Sequence, residues 1–238
     1  MAAHFPTTRW SRIGRAGVPG DPEARAALEG LCRDYWFPLY AFIRARGHSS
    51  DESEDLVQGF LADLLDRGDL ARLDQSKGRF RAFLRATCDH YLCNRRDHDR
   101  AAKRGGAVSI VSIDRRDAEG RYDREPSHRM TPERLFEREW ALALLARVLD
   151  RLEAESVRSG NGIFFERIRP ALQNDGLAPS YRAIADELGM SGEAVRGAAR
   201  RIRLRYRELL REEVGRTTDD PDAVDEEIGE LLVALASD

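Results

Sequence analysis

The sequence predicts an all-α protein of two small helical domains joined by an extended linker, the second containing a helix-turn-helix. Three observations lead there. Apolar residues recur at three- and four-residue steps along most of the chain, no alternation runs long enough to build a sheet, and 238 residues exceed the usual size of one domain. The pattern divides the chain into an N-terminal arm at 1–21, a first helical domain at 22–104, a linker at 105–131, a second domain at 132–212 and an acidic tail helix at 213–238.

The first helix places Leu28, Leu31, Cys32, Tyr35, Trp36, Leu39, Tyr40 and Ile43 on one face. Pro38 removes one backbone donor inside it, which predicts a kink. Gly47 to Ser50 end that helix, and Ser49 with Glu52 has the spacing of a capping box, so a second helix starts near residue 50. Its seam is Leu56, Val57, Phe60, Leu61, Leu64 and Leu65, and Asp51, Glu52, Glu54 and Asp55 crowd its first turn, where the helix dipole favours acids. After a polar turn at 74–78, a third helix carries Phe80, Phe83, Leu84, Thr87, Cys88, Tyr91 and Leu92 on one face and Arg81 and Arg85 on the other. Three helices of this length bury one shared core.

Gly105 and Gly106 break the pattern, and only the short alternation from Val108 to Ile113 follows, so 105–131 reads as extended. Thr131, Pro132 and Glu133 then supply an N-cap, an N1 proline and an early acid for a helix whose face includes Phe136, Trp140, Leu144, Val148, Leu149 and Leu152. A turn at Gly160-Asn161-Gly162 leads to a short helix through Phe164, Phe165 and Ile168, closed by Asn174-Asp175-Gly176.

The net charge of −3 hides strong segregation. Residues 51–69 carry seven acids against Arg67, 79–104 carry eight bases against three acids, 193–211 carry seven arginines against two acids, and 212–238 carry ten acids against Arg216. Blocks of alternating sign suggest several partner surfaces of opposite charge. All bases but Lys77 and Lys103 are Arg, the side chain suited to phosphates and guanine edges.

No apolar stretch approaches the roughly 20 residues of a membrane crossing, and the first residues lack the basic and apolar regions of a secretory signal, so the expectation is a cytoplasmic protein without membrane contact. Cys32, Cys88 and Cys93 are an odd number lying among helix-like residues and read as core thiols. An enzyme finds little support, because there is no phosphate-binding glycine loop and no dinucleotide fingerprint. Cys88, His90 and Cys93 do not converge on zinc, since on a helix the second and third point about 200° and 500° from the first. No metal, cofactor or catalytic residue is expected.

From Tyr181 to Leu210 the chain reads as helix, tight turn and longer helix. Ile184, Ala185 and Leu188 face inward, Gly189 suits a left-handed helix end, Ser191 suits an N-cap, and Val195, Ala199, Ile202, Tyr206 and Leu209 bury the longer helix. Arg196, Arg200, Arg203, Arg207 and Arg211 share one exposed side of it, as a helix entering a DNA major groove would arrange them.

These residues resemble a known family. Ser180-Tyr181-Arg182-Ala183-Ile184-Ala185-Asp186-Glu187-Leu188-Gly189-Met190-Ser191, followed by Ala194-Val195-Arg196, is similar to the promoter-reading C-terminal domain of sigma-70 family RNA polymerase sigma factors, in particular the extracytoplasmic-function (ECF) group. Glu54-Asp55-Leu56-Val57-Gln58-Gly59-Phe60-Leu61 is similar to the family segment that grips the clamp helices of the largest polymerase subunits. Gly78-Arg79-Phe80-Arg81-Ala82-Phe83-Leu84 is similar to the segment that opens and reads the minus-ten element. The likeness spans about 25–212, and the arm with Thr8-Arg9-Trp10-Ser11 and the acidic tail lie outside it.

The resemblance implies a promoter-specificity subunit that binds core RNA polymerase and recognises and opens promoter DNA, double- and single-stranded in turn, with an anti-sigma protein as a further partner. It assigns polymerase binding to Glu54, Asp55, Gln58, Phe60, Leu61, Asp63 and Leu64. Minus-ten DNA falls to Phe80, Arg81, Arg85, His90, Asn94, Arg95 and Arg96, with His90 and Asn94 near the pocket for an extruded base. The minus-thirty-five element falls to Ser191, Glu193, Arg196, Arg200, Arg201, Arg203 and Arg207. For Phe80, Phe83 and Tyr91, core packing competes with base stacking and is the simpler role. The rival reading is a helix-turn-helix repressor or activator that binds a palindrome as a dimer without core polymerase.

In the tail, Val224, Ile228, Leu231, Leu232 and Leu235 make a short amphipathic helix with an acidic back, which needs a partner surface to be stable. Two placements suit it: against the arginine stripe at 196–211, screening it from DNA, or as an extension of the second domain's core.

Overall fold

The computed structural model describes residues 22–66, 80–99, 118, 120–122, 130–173, 179–216 and 223–236. The expected arm at 1–21 with Trp10, the Gly105-Gly106 break, the alternation at 108–113 and the turns at 74–78 and 174–176 lie outside these residues. The described residues are helical, with no strand among them: α1 (Pro22–Ala45), α2 (Ser50–Asp66), α3 (Phe80–Asp99), α4 (Pro132–Arg158), α5 (Gly162–Leu172), α6 (Tyr181–Leu188), α7 (Gly192–Val214) and α8 (Ala223–Ala236). The chain divides into two compact units, one of residues 1–143 with 214–238, the other of residues 144–213.

In the first unit, local signals set the helix starts. At α2 the backbone N–H of Ser49 donates to Glu52 at 3.0 Å while that of Glu52 donates to the Ser49 hydroxyl at 3.3 Å, a complete capping box. Thr131 accepts from the backbone N–H of Arg134 at 3.3 Å and opens α4. α1 runs unbroken through the buried Pro38.

The core of this unit comprises Trp36, Leu39, Tyr40, Phe42 and Ile43 of α1, Val57, Phe60, Leu61 and Leu64 of α2, Phe80, Leu84 and Cys88 of α3, and Leu135, Phe136 and Trp140 of α4. Each such side chain contributes on the order of 1.5–3 kcal/mol by leaving water. Phe42 meets Phe136 edge-on at 5.9 Å, Tyr35 meets Phe80 edge-on at 5.3 Å, and the indole N–H of Trp140 donates to the Tyr35 hydroxyl at 2.8 Å. The start of α4 thus closes a core that the sequence pattern had assigned to three helices.

Part of the expected extended linker is helical and docked. Ala118 is buried, the Arg121 guanidinium lies 3.8 Å from the centre of the Phe37 ring and donates to the fully buried Glu139 at 2.5 Å, and Tyr122 meets Tyr40 edge-on. These pairings join residues far apart in sequence, which a periodicity search over 105–131 does not register.

The tail helix, expected against the arginine stripe or the second domain's core, groups with the first unit: Glu227 and Glu230 of α8 pair with Arg81 at the start of α3. Val224, Glu227 and Leu231 are its buried residues.

In the second unit, residues 144–158 of α4 pack with α5, α6 and α7 through Leu144, Val148, Leu152, Phe164, Phe165, Ile168, Ile184, Val195, Ala199 and Leu209. Arg147 and Arg151 donate to the almost buried Glu213 at 3.1 and 3.3 Å, tying α4 to the end of α7.

Candidate nucleic-acid interface

In the second unit, α6 and α7 are joined by three residues whose chemistry sets the turn. Ser180 caps α6 by accepting from the N–H of Ala183 at 3.2 Å. Gly189 ends it at φ +62°, a left-handed conformation that costs glycine nothing, and the Met190 N–H reaches back to the Ala185 carbonyl at 2.9 Å. Ser191 then caps α7 by accepting from the Ala194 N–H at 3.1 Å. Ile184, Ala185, Val195 and Ala199 are buried, and the small alanines let the helices approach.

This frame leaves Ser191, Glu193, Arg196, Arg200, Arg201, Arg203 and Arg207 exposed, so all seven residues expected at the minus-thirty-five element reach solvent. Arg203 is held from α6: its guanidinium lies 5.6 Å from the centre of the Tyr181 ring and donates to the Tyr181 hydroxyl. Arg205, outside that set, is committed elsewhere. It grips Glu155 through two nitrogens at 2.7 and 2.9 Å and adds Glu208 at 2.9 Å. The hydrogen bonds that Arg205 donates to Glu155 and Glu208 push its pKa up, and the same guanidinium holds the Glu155 carboxyl below its usual value.

Leu204, 48% exposed in the middle of the outer face, was missed. Its signal was in the sequence: it stands out of step with Ile202, Tyr206 and Leu209, so it falls among the arginines instead of in the core.

In the first unit, α3 sorts its expected DNA residues into two groups. His90, Asn94 and Arg95 are exposed near its end, with Arg95 donating to the Tyr91 hydroxyl at 2.8 Å. Arg96 is on the helix, but its side chain lies outside the described residues. Arg85 is half-buried and 3.6 Å from Glu137. Phe80 and Arg81, expected at the DNA, are buried. Phe80 is a core residue against Tyr35, and Arg81 is 5% exposed, stacked 4.5 Å from the centre of the Trp140 ring and paired with Glu137, Glu227 and Glu230.

A similar division applies on α2. Asp55 is exposed and Glu54, Gln58 and Asp63 are half-buried, with Gln58 donating to Glu54 at 3.3 Å. Phe60, Leu61 and Leu64, expected at the polymerase, are at most 2% exposed because they form the seam that α2 turns to the core. The outward face of α2 is therefore acidic and polar. Gly59 lets α3 come close: a Cβ there would strike the Tyr91 hydroxyl, and burial pushes that hydroxyl's pKa up.

Cys32 and Cys88 are buried and Cys93 is exposed; burial, and then Asp89, push the Cys88 thiol pKa up. Among the described residues no three metal-binding side chains cluster, and no helix is long and apolar enough to cross a membrane. No protein-family model matches the chain, and no curated protein and no solved structure matches it either.

Proposed function

We propose that this chain is a promoter-specificity subunit of bacterial RNA polymerase, of the sigma-70 type, which binds core enzyme and reads and opens promoter DNA. The observation that carries the reading is the capped α6–turn–α7 pair with Arg196, Arg200, Arg203 and Arg207 exposed along one side of α7. A helix of this kind fits a major groove, where a guanidinium reads a guanine edge or pins a phosphate. The chemistry of the first unit supports the same reading. The acidic outer face of α2, with Asp55, Glu54, Gln58 and Asp63, suits basic helices of a protein partner, whereas His90, Asn94 and Arg95 on α3 suit an unstacked base and its backbone.

The test is to mix the purified chain with core polymerase and genomic DNA and to sequence the transcripts. Starts that share an upstream sequence and depend on the chain support the proposal. Binding of a palindrome as a dimer, with no effect on transcripts from core polymerase, would establish the repressor reading instead.

A further inference from the structure

Arg81 divides its guanidinium between two helices. Its Nε edge goes to Glu137 of α4 at 2.7 Å, and Trp140 of α4 supports the face of the guanidinium. Both terminal nitrogens go to α8: Nη1 to Glu227 and Nη2 to Glu230. The scaffold fixes the plane of the guanidinium, and the tail helix takes the fork. A fork of two parallel N–H groups is the geometry that binds a phosphate as readily as a carboxylate.

The surroundings fit an anion that comes and goes. Arg81, Arg85 and Arg134, with Glu133, Glu137 and Glu230, line a groove of about 340 Å³ between α3, α4 and α8. Of its fourteen residues α8 buries Val224, Glu227 and Leu231, and Glu230 is 44% exposed on its side chain. At that length the helix is not stable on its own. Buried ion pairs lie near break-even against hydration, so exchanging two carboxylates for one phosphate group costs little.

The geometry points to α8 as an acidic strap that occupies Arg81 in place of a nucleic-acid phosphate. While it is docked, α3 offers DNA its far end alone, with His90, Asn94 and Arg95; when it leaves, Arg81 stays aligned by Glu137 and Trp140 and the Arg85 and Arg134 side of the groove opens beside it. This regulation of the first unit's DNA contact rests on the proposed function for its biological meaning, while the competition itself is a property of the isolated chain.

Fluorescence anisotropy with a labelled oligothymidylate of about twenty nucleotides tests it, on the full chain and without polymerase. The double variant Glu227→Gln with Glu230→Gln keeps side-chain size and removes the charge. If the strap is docked nine times in ten, this variant binds the oligonucleotide about tenfold more tightly than the native chain, and adding Arg81→Ala returns it to the native affinity. A folded double variant with native affinity overturns the strap, as does a gain that survives Arg81→Ala. Should the double variant fail to fold, hydrogen exchange on the native chain decides: α8 amides that lose protection when the oligonucleotide is added support the strap, and unchanged protection overturns it. Failure to direct transcripts with core polymerase counts against the proposed function and leaves these outcomes readable.

Discussion

Trp140 and Tyr35, 105 residues apart in sequence, are joined by a 2.8 Å hydrogen bond from indole N–H to phenol oxygen, and neither side chain is more than 2% exposed. A buried indole donor without an acceptor is costly. Tyr35→Phe removes the oxygen and keeps the ring that meets Phe80 edge-on. The expected loss is about 1–3 kcal/mol, read as a lower midpoint of urea unfolding. A midpoint equal to the native chain's would show that the indole finds another partner.

Gly59 sits inside α2, where alanine would ordinarily favour the helix by about 1 kcal/mol. Here a Cβ meets the Tyr91 hydroxyl, so Gly59→Ala forces the ring aside and strains its bond to Arg95. A net destabilisation of about 1–2 kcal/mol is expected from overpacking. Combining it with Tyr91→Phe removes the obstructing oxygen, and the pair of changes should restore most of the loss in thermal melts. Equal destabilisation with and without Tyr91→Phe would refute the steric account.

On α7, Arg196 and Arg200 stand nearest the capped start and are expected to read base edges, whereas Arg203, braced by Tyr181, and Arg207 are expected to hold phosphates. Alanine at either of the first two should cost about 1–3 kcal/mol at one promoter position, and alanine at either of the others should weaken all sequences alike and lower the salt dependence. Binding titrations against single-base promoter variants at two salt concentrations separate the cases. Uniform loss for all four would refute the assignment.

Glu155 is held below its usual pKa by Arg205, so it binds a proton less readily folded than unfolded. Its contribution to stability is present above about pH 4.5, the ordinary glutamate value, and is lost as the pH falls from there. Glu155→Gln should flatten the acid limb of the stability profile of the second unit while lowering the plateau at neutral pH. A variant with the native acid slope would place the titrating group elsewhere.

The parts of the fold legible in the sequence are those decided within a few residues. Ser49 with Glu52, Thr131, Gly189 and Ser191 each act on a backbone group three to five positions away, and each does so as read. The arginine stripe was equally legible, since exposure on α7 follows from period alone. Phe60, Leu61 and Leu64 show the opposite case: the period had already placed them on a core seam, and only the family resemblance gave them to a partner. Arg81 and Arg121 could not be read at all. Their pairing depends on Glu227 and Glu139, whose approach is a matter of tertiary packing, and an arginine on a helix carries no local sign of a carboxylate 146 residues later.

The distance along the chain between Arg81 and Glu227 also has a meaning in time. Ribosomes add about 5–20 residues per second, so roughly 7–30 s pass between the synthesis of Arg81 and that of the 146th residue after it. During that interval α1, α2 and α3 have emerged while α8 does not yet exist, and Glu137 itself is made 56 residues after Arg81. A nascent chain therefore carries Arg81 before any of these three carboxylate partners is made, and α8, which covers it, is made after α1 to α7.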